Sequence, residues 1–132
     1  MNALLTLHSL IRWAIVIVTL VDLIRFTWVW LRHVQMNRTD SLLMTIFTRL
    51  LEIQMLVGLI FLLWTGFAGA GFPSYRLAHT GTMIVAVIVG HLSRRWQNAE
   101  SSIRARNNVI AILAVLLLVC IGVSLLPGGW TR

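Results

Sequence analysis

The stretch from Leu4 to Leu31 constrains this chain most. It is long and apolar enough to cross a bilayer, which takes about 20 helical residues, yet it holds His8, Arg12, Asp22 and Arg25. Hydrocarbon tolerates such groups only where they face protein or water. One face of this segment must therefore look into a protein interior. Three further apolar runs follow, at about residues 42–66, 75–96 and 107–126.

Composition identifies the solvent. Hydrophobic residues make up 58% of the chain and charged residues 11%, whereas about a quarter of a soluble domain is charged. The 132 residues read as one all-α integral membrane domain. The first run has no basic stretch before it and is too long for the core of a cleaved signal, so it reads as a retained spanning helix.

The formal charge is +7, and all eleven basic residues are arginine, a preference that a GC-rich genome accounts for. The arginines sit at the ends of apolar runs, which points to topology and anionic headgroups rather than nucleic acid. Arg32, Arg38, Arg94, Arg95, Arg104 and Arg106 fall in or beside two connections, so both are expected in the cytoplasm. Both termini and the glycine-rich link of residues 66–74 then face the outer, periplasmic side. Trp13, Trp64 and Trp130 mark the outer interface on this reading, and Trp28, Trp30 and Trp96 the inner one. Short connections make antiparallel neighbours, so the expected architecture is an up-and-down four-helix bundle in a bacterial inner membrane. Asp40 and Ser41 are candidate caps for the second helix. Cys120 can close no disulfide within the chain and reads as a small core hydrophobe.

Helical periodicity gathers His8, Arg12, Ile15, Thr19, Asp22 and Phe26 into one stripe. Arg25 stands three residues from Asp22, and Arg49 three residues from Glu52. At similar depth, these two acids and two arginines are expected to form one neutral network tying the first two helices together, with His91 at the same level. That network is either a structural clasp or a proton relay or polar cofactor pocket. His33 lies in the first connection and reads as solvated.

His8 and His79 both stand near the outer starts of their helices, at matching depth. Two histidines so placed can clamp a haem iron from both sides, with Arg12 and Arg76 positioned for the propionates. A quinone, its carbonyls hydrogen-bonded by the same residues, fits the pattern equally. Gly58, Gly81 and Gly90 permit close helix contact or leave room for a flat cofactor. No phosphate-cradling glycine loop, nucleophile elbow, CxxC or HExxH occurs in the sequence, so no independent catalytic motif is visible.

Leu7-His8-Ser9 with Arg12-Trp13, the run Ile53-Gln54-Met55-Leu56-Val57-Gly58-Leu59, and His79 with Met83 together resemble small four-helix bacterial membrane proteins labelled cytochrome b-like. The resemblance spans most of the chain and implies haem or quinone redox chemistry. A histidine often occurs in that family where this chain has Glu52, which leaves His8 and His79 as the pair that carries over. The expected function is thus a haem b-binding or quinone-interacting electron-transfer subunit of a respiratory or photosynthetic complex. The rival expectation is a cofactor-free accessory subunit that packs against other membrane subunits or a second copy. A small transporter is a weaker third, since no broken helix or inverted repeat is visible.

Overall fold

A computed structural model describes residues 2–129. The expected interface marker Trp130 lies outside the described residues. Helix α1 runs Asn2–Arg32, α2 Arg38–Thr65, α3 Ser74–His91 and α4 Ser101–Ser124. A wide π turn, Gly66–Ala70, prolongs α2, and a tight 3-10 turn, Leu92–Trp96, prolongs α3. The described residues contain no strand, so the all-α expectation stands. Three segments are long and apolar enough to cross a membrane: Ala3–Arg32, Arg38–Ala70 and Ser101–Ser124.

Two helix starts differ from expectation. Helix α2 begins at Arg38 because Asn37 caps it. The Asn37 side chain accepts the Asp40 N–H at 3.1 Å, and Asp40 accepts the Asn37 N–H at 2.9 Å. Asp40 is therefore the returning half of a capping box, not the cap, and Ser41 lies inside the helix. Helix α4 begins at Ser101, so Arg104 and Arg106 stand on its first turns rather than in a loop. Polarity marks where a chain leaves hydrocarbon, and a helix can start well before that point.

Helix α1 packs on α2 and α4, and α3 packs on the same two, which leaves α1 and α3 facing each other across the diagonal. Phe26, Val29, Phe47, Leu51, Ala86, Ile112 and Val115 form the core. Gly90 lets α3 close onto α2, since a Cβ there would stand 2.8 Å from Leu51 Cδ1. Gly81 has open space around it and serves no such contact. On α1 the expected inward stripe is buried from Ile15 through Thr19 and Asp22 to Phe26. Leu10, Ile17, Ile24 and Leu31 recur every seven residues on the opposite face and are exposed. Helices apolar on all sides belong in lipid.

At the arginine-rich end, the Met36 N–H donates to Ser101 Oγ at 3.0 Å and Arg104 donates to Ser41 Oγ at 2.8 Å, so the start of α4 fastens both the first connection and the first turn of α2. Trp96 donates to Asn108 at 2.7 Å and is half-buried against α4. At the other end the chain turns through Gly69 and Gly71, whose φ values of 127° and 71° lie in the left-handed region. Cys120 is exposed on α4 rather than in the core.

Candidate cofactor-binding site

The end of the bundle opposite the arginine-rich connections holds a cavity of about 360 Å³ with mainly apolar walls. Its volume lies at the lower end of the range of small-molecule pockets, about 300–1,000 Å³. All four helices contribute, and Ala70 of the π turn and Gly129 reach its rim. The polar side chains His8 and Arg12 of α1, Gln54 of α2, and Arg76 and His79 of α3 line it. The four residues expected from the sequence to hold a cofactor thus come together, and Gln54 joins them.

His8 and His79 meet across the α1–α3 diagonal, with ring centroids 6.5 Å apart and planes at 73°. Each ring is set by a different device. His79 Nδ1 donates to the carbonyl oxygen of Gly122 on α4 at 2.7 Å. A carbonyl can only accept, so a neutral His79 keeps its lone pair on Nε2. The His8 ring lies against Gly58, where a Cβ would stand 3.2 Å from Cε1. His8 Nδ1 is buried and has no hydrogen-bond partner among the described residues. Gln54 fixes the backbone beneath that ring, its amide donating to the His8 carbonyl at 2.8 Å, while its own Oε1 is buried and unpartnered.

The two arginines are anchored differently. Arg12 lies with its guanidinium 5.5 Å from the Trp13 ring centre. Arg76 donates to Gly71 O at 3.1 Å and to Thr65 Oγ1, and lies 5.8 Å from the Phe61 ring centre. Arg76 therefore pins the glycine-rich link over the cavity as well as placing positive charge at its wall.

His8 and His79 are spaced as a pair of imidazoles that share one ligand between them would be. Metal–imidazole bonds of about 2 Å on opposite faces of one iron put two ring centroids about 6 Å apart, close to the 6.5 Å seen here. Among the described residues no three His, Cys, Asp or Glu side chains converge. A macrocycle that brings its own equatorial ligands needs only two from the protein.

The inner charged groups do not form the single network expected from the sequence. Arg25 turns away from Asp22 and pairs with Asp40, Nε to Oδ1 at 2.6 Å and Nη2 to Oδ2 at 3.1 Å. Asp22 is fully buried, and neither of its oxygens has a partner among the described residues. Arg49 pairs with Glu52 at 2.8 Å, and Glu52 pairs with His91 at 2.5 Å, joining α2 to α3 rather than α1 to α2. Asp40 and Gln54 were the groups missed. The sequence marks Asp40 as a candidate cap, and only the fold brings it to Arg25 and brings Gln54 to the His8 carbonyl. His33 is exposed, in a turn with φ of 52°.

Comparison with protein-family models, with curated proteins and with solved structures finds no match for this chain.

Proposed function

We propose that the protein is a membrane electron-transfer subunit that holds one b-type haem between His8 and His79, in the manner of cytochrome b-like proteins. The observation that carries this reading is the pairing of those two imidazoles across the diagonal of one cavity, 6.5 Å apart. His79, oriented by Gly122, and His8, seated on Gly58, would hold the haem iron. Arg12 and Arg76 neutralise the propionates, and the apolar walls exclude water. The haem, when bound, supplies a one-electron couple; the chain fixes the ligands and their orientation.

The proposal includes the membrane setting. The bundle is up-and-down in a bacterial inner membrane, with the arginine-rich end cytoplasmic and both termini periplasmic, so the haem lies near the outer face. Electrons pass between the quinone pool and another subunit of a respiratory or photosynthetic complex.

A second reading rests on the buried, unpartnered His8 Nδ1 and Gln54 Oε1. With Nδ1 protonated, His8 would donate to a quinone carbonyl held in the same cavity, and Gln54 Oε1 would accept from the hydroxyl of the reduced quinol.

Haem extracted from purified protein and measured against chain concentration tests the first reading. One haem per chain is expected, and haem-free protein from haem-replete cells overturns it. Quinone retained by such haem-free protein, and lost in Gln54→Leu, would establish the second.

A further inference from the structure

The Arg49–Glu52–His91 cluster stands in the wrong place for a bundle surrounded only by lipid. Its side chains are 58%, 32% and 28% exposed. Glu52 lies ten residues beyond Leu42, where the second apolar run begins, or about 15 Å along the helix. Counted from that start, this is half the thickness of a hydrocarbon layer of about 30 Å. Arg49 does not reach back toward the nearer headgroups, because its guanidinium donates to Glu52.

Proton counting gives the cluster a charge. His91 Nδ1 lies 2.8 Å from the Val87 carbonyl oxygen, and Nε2 lies 2.5 Å from Glu52 Oε1. The carbonyl only accepts, so Nδ1 bears a proton, and the Nε2–Oε1 contact needs a second proton on one of its two atoms. With Arg49 included, the cluster holds one positive charge more than negative. A half-exposed net cation at mid-membrane depth calls for a protein carboxylate opposite it.

This chain cannot supply that carboxylate from a second copy. Its four acids are Asp22, Asp40, Glu52 and Glu100. Asp22 and Asp40 are buried inside the bundle. Glu52 belongs to the cluster itself, and Glu100 lies in the connection before α4.

We propose that the outer seam between α2 and α3, centred on Arg49, Glu52 and His91, docks a transmembrane helix of a different protein that carries an Asp or Glu at the same depth. The inference deepens the subunit reading above by naming the face and the chemistry of the partner. It stands independently of haem.

The test uses the full chain in phosphatidylcholine vesicles with synthetic transmembrane peptides, each a leucine-rich helix with one central Glu or one central Gln. An acceptor dye on Asn98→Cys, in a Cys120→Ser background, reports energy transfer from a donor on the peptide. The Glu peptide is expected to associate about tenfold more tightly than the Gln peptide, the scale of one interhelical polar contact. The preference should vanish in both His91→Leu and Arg49→Gln, each of which leaves the cluster neutral. Two variants guard against one misfolding, and helical circular dichroism reports on each.

Equal association of the two peptides overturns the proposal. So does transfer between donor- and acceptor-labelled copies of the protein that Arg49→Gln abolishes, since a second copy would then be the occupant. Because the readout is association, haem-free protein tests this inference even if the haem reading fails.

Discussion

His79 Nδ1 donates to the carbonyl oxygen of Gly122 across 2.7 Å, from α3 to α4. This bond decides which nitrogen of His79 keeps its lone pair, and it makes the orientation of the ring depend on the α3–α4 spacing. Outer partners of this kind fix the tautomer and direction of metal-bound histidines.

Gly122→Ala tests that dependence. A Cβ at this position would run into the Cε of Met83 and stand 3.4 Å from Thr82 Cγ2. The Met83 methyl is the end of a flexible chain and can give way, so the cost to folding is about 1 kcal/mol, the low end for overpacking. The shifted carbonyl loosens His79, however, so the variant should lose haem faster than the parent while its unfolding midpoint falls only slightly. Unchanged haem retention would show that Gly122 does not orient the ligand.

Gly58→Ala probes the other ligand. The added methyl would stand 3.2 Å from His8 Cε1 and 3.6 Å from Nδ1, closer than the ring can accept without moving by a few tenths of an ångström. The expected cost is about 1 kcal/mol, read as a roughly fivefold weaker hold on haem with helix content unchanged. Haem titration of the apoprotein measures it. Affinity equal to the parent's would mean that His8 is not held against Gly58 in the loaded protein.

The buried acids Asp22 and Asp40 should respond in opposite directions. Asp40 accepts two bonds from Arg25 and closes the α2 capping box. Asp40→Ala therefore removes an ion pair and half a cap, and is expected to cost about 2–4 kcal/mol, discounted from the buried-pair value because Arg25 is part-exposed. Asp22 has no partner for either oxygen among the described residues, so Asp22→Leu should leave stability unchanged or raise it by about 1–3 kcal/mol. Thermal unfolding in detergent compares the two. A large loss in Asp22→Leu would show that the carboxyl has a role in holding the bundle.

The parts of the site that sequence exposes are those set within one helix. His8, Arg12, Ile15, Thr19 and Asp22 share a face because a helix turns 100° per residue. The match in depth between His8 and His79 follows from their similar distances from the starts of α1 and α3. Choices between helices were not legible. Arg25 had an acid three residues away on its own helix and took Asp40 on α2 instead. Glu52 turned to His91 on α3 because Gly90, one residue before it, brings that helix close. Helices α2 and α4 begin before their apolar runs, because hydropathy reports where a segment enters lipid, whereas Asn37 and its capping box decide where α2 begins.

The central claim is that His8 and His79 ligate one haem iron from opposite sides. A reduced-minus-oxidised visible spectrum of the purified protein, repeated on His8→Ala and on His79→Ala, tests it most directly. The account predicts sharp low-spin b-type bands at one haem per chain in the parent and their loss in each variant, with helical circular dichroism retained. Absence of bands from haem-replete parent protein, or bands that survive both substitutions, would contradict it.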